Sequence, residues 1–250
     1  MKKCFYGCTS LKSLDLSSLD TKQITSFIDV FNGCKNLTSL NIYNFNTVNA
    51  TIMTNMFIDC SSLISLDLSN FDTERVTNMD YMFQNCHSLI SIKLSSFNTS
   101  KVMTMEGLFY GCYSLTSLDL SSFNIINIRF MNQMFYNCYS LTSIEFFHYN
   151  NINTKKVENM EDMFYNCSSL TSIDLSSVFT DNKTEIHING MFYGCSNLKY
   201  IDISSFSIYY YTYLSIFDSY IPSEGTIKLL NENERDKVNI PYKWKIIYKS

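Results

Sequence analysis

Eight of the nine cysteines recur on a fixed period. Cys8, Cys34, Cys60, Cys86, Cys112 and Cys138 lie 26 residues apart; Cys167 follows after 29 and Cys195 after 28. Such a column could form disulfides, bind metal, or do no chemistry and serve as small buried hydrophobes. A disulfide framework shows clustered, paired cysteines, and a structural zinc site shows Cys-x2-Cys pairs; neither is written here. Neighbouring coils of a repeat array lie ~4.8 Å apart, which is inside the Cα window of a disulfide. Stacked side chains, however, point the same way rather than at each other. The column reads as buried free thiols, with disulfides between coils as the alternative and no metal. Cys4 stands outside it.

The remaining reactive groups are less ordered. His87, His148 and His187 share no column, and no nucleophile motif, phosphate loop or paired His/Asp spacing appears. One aligned set is charged: Asp15, Asn41, Asp67, Lys93, Asp119, Glu145, Asp174 and Asp202, one per repeat. Without a partner base or a pocket these carboxylates do not suggest acid–base catalysis. Calcium wants about six to eight oxygens from a defined loop, and no such loop is present. No catalytic residue, cofactor or metal site is expected, which leaves binding.

A fixed period in the twenties means a solenoid. In the repeat around Cys86, Met79, Met82, Phe83 and Cys86 stand at i, i+3, i+4 and i+7, with Val76 one turn earlier. That spacing predicts a short α-helix. Leu89, Ile92 and Leu94 then alternate as a strand, and Phe97 closes the unit. The residue before each cysteine is Gly7, Gly33, Asp59, Asn85, Gly111, Asn137, Asn166 or Gly194. These types enter the left-handed conformation at least cost, so a left-handed cap is predicted there. Asp20, Asn46, Asp72, Asn98, Asn124 and Asn150 form a further column, with Thr21, Thr47, Thr73 and Thr99 following the first four. They predict turns held by side-chain hydrogen bonds; a sugar or ion site on that edge is the functional alternative. The fold class is thus an α/β repeat, a right-handed solenoid of about eight 26-residue coils. A parallel β-sheet should form one face, with short helices opposite.

In such a coil the strand leucines point inward and the residue between the last two points outward. Asp67, Lys93, Asp119, Glu145, Asp174 and Asp202 would form an acidic stripe between serines, with Tyr43 and Phe147 as apolar exceptions. Carboxylates repeating every ~4.8 Å repel one another, so a purely structural column would gain by using Asn or Thr. Either the stripe keeps an exposed sheet soluble and in register, or it meets a basic partner surface. Insertions at residues 151–156 and 178–185 break the period between strand and helix, and repeat insertions map to loops on one side.

A net charge of −4 without a basic stripe argues against nucleic acid. No stretch approaches the ~20 apolar residues of a membrane span, and residues 1–16 do not read as a signal peptide. Residues 1–8 match the end of a repeat, so the array starts mid-repeat: either it is a piece of a longer array with further repeats before residue 1, or a partner covers its first coil. The domain reading is a repeat array over 1–218 and a C-terminal β cap over 219–250. That second segment holds both prolines and Trp244, with strands at 226–230 and 244–248 around a charged loop.

The L-x-x-L-x-L pattern is that of leucine-rich repeats. LTSLDLSSF at 115–123 and MFYNCSSLTSIDLSS at 163–177 resemble the BspA-like class of these repeats over about residues 1–217. The resemblance implies a non-enzymatic surface protein of the kind by which bacteria and protists adhere to host proteins or other cells. The partner would be a protein, from the host extracellular matrix or another cell surface, held on the concave sheet face. The absent signal peptide and the free-thiol column motivate the alternative, a cytoplasmic interaction scaffold. Sequons at Asn36, Asn49, Asn98, Asn166 and Asn182 do not separate the two.

Overall fold

The middle leucine or isoleucine of each repeat sits at the centre of a three-residue strand. The computed structural model describes residues 1–146, 157–178, 180, 186–208 and 214–249. Its first eight strands are β1 (Ser13–Asp15), β2 (Ser39–Asn41), β3 (Ser65–Asp67), β4 (Ser91–Lys93), β5 (Ser117–Asp119), β6 (Ser143–Glu145), β7 (Ser172–Asp174) and β8 (Tyr200–Asp202). β9 (Thr226–Leu229) and β10 (Lys245–Tyr248) follow, with a 3₁₀ helix, Glu232–Lys237, between them. From β1 to β7 the serine and the acidic, amide or lysine side chain are exposed while the leucine or isoleucine turns inward. Pairing is parallel and in repeat register: Leu14 with Leu40, Leu66 with Ile92, Leu118 with Ile144, Ile173 with Ile201. The molecule is a β-solenoid of about eight coils, as the period requires.

The strands are joined in groups. β1 pairs with β2, β3 with β4, β5 with β6, and β7 to β10 form one sheet. Side chains reach across two of the gaps. Asn70 Nδ2 donates to the carbonyls of Ile42, Tyr43 and Phe45 at 3.2, 2.6 and 3.1 Å. Ser122 Oγ donates to Leu94 O at 3.1 Å.

The expected helices opposite the strands do not form: among the described residues the 3₁₀ helix is the only helix. In their place, alternate residues bond to the next coil. Met53, Asn55, Phe57 and Asp59 donate N–H to the carbonyls of Asn78, Asp80, Met82 and Gln84 at 2.9–3.1 Å. Residues between them close i−3 turns, such as Met56 N–H to Met53 O at 3.3 Å. Asn55 and Asp59 are both left-handed, at φ 60° and 56°, and an α-helix cannot contain such residues. The physical reason is that an isolated eight-residue helix is marginal and leaves its terminal groups unpaired. Bonding to the adjacent coil satisfies the same groups without that penalty. Parallel bridges run unbroken through Ser26, Ile52, Asn78, Thr104, Phe130, Asn159 and His187. The continuous ladder therefore lies opposite the strands. The residue before each cysteine is left-handed in all eight coils, at φ 56–79°.

Between the two sides runs a spine of stacked rings: Phe5, Phe31, Phe57, Phe83, Phe109, Phe135, Phe164, Phe192 and Phe217. Consecutive centroids are 5.3–5.8 Å apart. Each thiol of the cysteine column from Cys34 onward donates to the carbonyl of the Phe one coil back, at 3.0–3.3 Å. A sulfhydryl there is a small apolar group that also satisfies a carbonyl. All nine cysteines are free; seven are buried, Cys8 is half-buried and Cys4 exposed. Burial pushes the Cys34 thiol up to about 11 and those of Cys86 and Cys138 up to about 12. In the native protein a thiol reagent should label Cys4 first, Cys8 more slowly, and the other seven only after denaturation. Rapid labelling of Cys86 or Cys138 without unfolding would contradict this packing.

The threonine column is buried and bonds in both directions. Thr47 Oγ1 donates to Asp72 O and accepts Asp72 N–H, each at 2.8 Å. Thr21, Thr73, Thr99 and Thr180 do the same with Asn46, Asn98, Asn124 and Ser207. Asp20, Asn46, Asp72, Asn98 and Asn124 each accept the N–H two residues on, which is the predicted turn. The 26-residue spacing also continues from Tyr200 to Thr226, and β9 and β10 extend the parallel sheet from β8. Trp244 packs on Phe217 and donates its indole N–H to Pro222 O at 2.8 Å. Phe147, His148, Asn150 and the insertions at 151–156 and 181–185 lie outside the described residues.

Candidate partner-binding face

The aspartates of the stripe begin as turn residues. Where each strand ends, the carboxylate Oδ1 accepts the N–H two residues on: Ser17 to Asp15, Ser69 to Asp67, Ser121 to Asp119, Ser176 to Asp174 and Ser204 to Asp202, at 2.8–3.0 Å. Asn41 accepts from Tyr43 N–H more weakly, at 3.3 Å. An ionised acceptor makes the shorter, stronger bond. The column thus has a structural role, turning the chain off the strand, which Asn41 fills as well as the aspartates. The bonds also hold the charge: Asp67 is kept down to about 2, first by Lys93 and then by Ser69. Asp15 is likewise lowered by Ser17.

Asp67, Lys93, Asp119, Glu145 and Asp174 are brought together on the exposed side of β3 to β7, one per coil. Lys93 Nζ sits 2.6 Å from Asp67 Oδ2, so β3 and β4 carry a neutralised pair. Asp202 does not belong to this surface. It is 3% exposed, and Lys228 of β9 pairs with it at 2.9 Å. Burial raises its pKa, but hydrogen bonds from Ser204 and Lys228 outweigh that and leave it lowered. The reading of Asp202 as a surface residue fails because the chain beyond residue 218 extends the sheet over it. Tyr43, just past β2, is 75% exposed and borders a shallow depression lined by Asn44, Asn46, Asn70 and Asp72. Phe147 lies outside the described residues.

Two exposed residues just ahead of β3 and β4 were missed. Ile64 and Ile90 are 52% and 53% exposed, and Ile90 N–H bonds Ile64 O at 2.8 Å, which sets them side by side. Elsewhere their column reads Lys12, Thr38, Thr116, Thr142, Thr171 and Lys199; the two isoleucines interrupting hydroxyls and lysines were the available signal. Coils three and four thus carry two exposed isoleucines and a neutralised ion pair, with Asp119 and Asp174 on later strands. An apolar centre with a charged rim is the anatomy of a protein interface. Among the described residues, no cluster of three His, Cys, Asp or Glu side chains could hold a metal, and no helix is long and apolar enough to cross a membrane.

Comparison with curated proteins gives no match. Solved structures similar to the chain include a leucine-rich cell surface protein from Faecalibacterium prausnitzii A2-165, at 19% identity and TM-score 0.48, covering all of this chain and 76% of that one. A leucine-rich repeat protein from Bacteroides ovatus is similar at 19% identity and TM-score 0.34, covering 99% and 77%. The pneumococcal vaccine antigen PcpA is similar at 12% identity and TM-score 0.38, covering 96% and 68%. The family described as Mycoplasma protein of unknown function, DUF285, matches residues 1–93, 53–171 and 143–218, in the overlapping manner that an internal repeat produces. Those matches span the whole cysteine-column array, and the chain belongs to the DUF285 family.

Proposed function

We propose that the protein is a non-enzymatic, protein-binding repeat module that receives its partner on the exposed face of β3 to β7. The observation that carries this reading is that two exposed isoleucines, Ile64 and Ile90, stand at the starts of the same two strands, β3 and β4, that carry the paired Asp67 and Lys93. Exposed apolar residues gain nothing from water, and a neutralised ion pair a few residues on is cheap to cover. The fitting partner carries an apolar anchor for the isoleucines and basic side chains for Asp119 and Asp174. Its source follows the BspA-like resemblance: a host extracellular-matrix protein or another cell-surface protein, with this chain acting in adhesion. The free-thiol column supports the second reading, a cytoplasmic scaffold, since free thiols persist in reducing compartments. Fractionation of the source cells separates the two.

The test uses immobilised matrix proteins of differing charge and two variants. The triple change Asp67→Asn, Asp119→Asn and Asp174→Asn retains Oδ1 as the turn acceptor, so folding should survive. Binding to a basic partner should weaken by about tenfold and lose its salt dependence. Ile64→Ser with Ile90→Ser should weaken binding by at least about tenfold, because central apolar contacts dominate interfaces. Affinity unchanged in both variants would place the site elsewhere.

A further inference from the structure

Where the chain leaves β2, it departs from its own repeat at several positions at once. Tyr43 stands where the nearby coils have Ser17, Ser69 and Ser95, and Val48 where they have Lys22, Glu74 and Ser100. Asn44 and Asn70 stand where other coils have Ser18, Ser96 and Ser122. Ser96 and Ser122 each make one bond to the coil before, to Leu68 O and Leu94 O. Asn70 instead holds three carbonyls of the turn that carries Tyr43. All four departures border the one depression noted above, together with Asn46 and Asp72. Tyr43 is 75% exposed, more than any other large apolar or aromatic side chain among the described residues of the array.

The walls of this depression are fixed from within. Phe45 is buried and its ring meets Phe27 at 6.1 Å. Thr47 Oγ1 clamps Asp72 through both backbone groups at 2.8 Å. Asn46 Oδ1 accepts Val48 N–H at 3.2 Å, and Asp72 Oδ1 accepts Glu74 N–H at 3.0 Å. Among the described residues, Asn46 Nδ2, Asn44 Oδ1, Asn70 Oδ1, the second Asp72 oxygen and the Tyr43 hydroxyl keep no protein partner. The backbone of the turn is largely spent: Phe45 N–H bonds Ile42 O, and Asn46 N–H bonds Thr21 Oγ1. Charges in the flanking turns nearly cancel, with Asp20, Asp72 and Glu74 against Lys22 and Arg75.

We propose that this depression is a subsite for one neutral pyranose ring of a saccharide. A pyranose has an apolar C–H face and a rim of hydroxyls, each of them both donor and acceptor. The Tyr43 ring supplies an apolar plate for the face. Around it stand an amide donor and three open side-chain acceptors for the rim. An aromatic wall with a few converging polar groups is the build of a small-ligand site. Other occupants fit less well. An anion finds no cation lining the depression, and a basic side chain finds one exposed carboxylate offset by Lys22 and Arg75. An extended peptide finds no open strand edge to pair with. A single sugar ring on so shallow a site binds at about millimolar strength. The site uses none of the residues assigned to the protein partner above, so the two readings stand or fall separately.

Saturation-transfer NMR on the full chain tests this, with the methyl glycosides of glucose, galactose, mannose and N-acetylglucosamine as probes and acetyl-arginine amide as the charged comparison. At least one glycoside should receive saturation, strongest on the C–H protons of one ring face, and added salt should not weaken it. Tyr43→Ser restores the residue of the neighbouring coils, so the fold should survive, as circular dichroism would report. It should weaken binding by about tenfold. Tyr43→Phe keeps the plate and should weaken it less, while Ile64→Ser with Ile90→Ser should leave it unchanged. Transfer to none of the glycosides, or transfer that survives Tyr43→Ser, overturns the proposal. So does a stronger, salt-sensitive response from acetyl-arginine amide, which would make the depression a pocket for a basic side chain.

Discussion

Replacing Phe109 by alanine is expected to cost about 3 to 5 kcal/mol of stability. Phe109 is fully buried, stacked on Phe83 at 5.3 Å and on Phe135 at 5.8 Å. Its carbonyl also takes the Cys138 thiol at 3.2 Å. Alanine removes one ring from the middle of the spine, and the bonded turns around it cannot collapse into the gap. Coils of a solenoid touch only their neighbours, so the whole loss falls on two adjoining interfaces. Urea unfolding should show a lower midpoint and a smaller m-value, because the halves on either side come apart separately. Phe109→Leu should recover part of the loss. A cost below about 1 kcal/mol with an unchanged m-value would mean that the ring stack does not couple the coils.

Gly194→Ala should cost about 2 to 4 kcal/mol, against about 1 kcal/mol for Gly7→Ala. Both glycines are left-handed, at φ 71° and 69°, so both changes carry the conformational penalty of a Cβ there. They differ in surroundings. A Cβ on Gly7 meets nothing within 4 Å, whereas one on Gly194 comes within 2.0 Å of Asn166 Oδ1 and 3.1 Å of Asn166 Cα. The difference between the two thermal or urea stabilities isolates close coil-to-coil approach from backbone strain. Gly194→Asn should do better than alanine. Asparagines stacked in this column bond one another, as Asn166 Nδ2 does to Asn137 Oδ1 at 2.9 Å. Equal costs for Gly7→Ala and Gly194→Ala would show that the coils are spaced more loosely than described.

The strand half of each coil was legible because its signals are local. Alternation around Leu66 or Leu118 decides which side faces in, and Gly, Asn or Asp before the cysteine decides where the chain turns. The other half misled for an equally physical reason. Apolar residues at i, i+3, i+4 and i+7 mark one face of a helix, but they also mark consecutive turns whose left-handed residues are four apart. Asn55, Gly107 and Gly190 hold the extra left-handed position, while Tyr81 and Gln133 hold it at φ 55° and 56°. Neither residue type announces that conformation. Of the candidate site, the exposed run from Asp67 to Asp174 followed from alternation alone. The burial of Asp202 depended on Lys228 arriving from a segment without the repeat signature. Ile64 and Ile90 stand just ahead of β3 and β4, where alternation says nothing about exposure.

The two rails of the solenoid are built differently, and this gives the molecule a preferred direction of bending. Opposite the strands, every coil from Ser26 to His187 is bridged to the next. Along the strands, pairing is interrupted between β2 and β3, β4 and β5, and β6 and β7. A rod with one continuous rail and one jointed rail flexes by opening at the joints and pivoting about the unbroken side. The coils on either side of each joint are still bonded just ahead of the strands, by Ser62 N–H to Lys35 O, Ser114 N–H to His87 O and Ser169 N–H to Tyr139 O at 3.2 Å, and Asn70 and Ser122 add side-chain bonds across two of them. Any bending of the array should therefore open the strand side between these groups before the ladder of bridges opposite it.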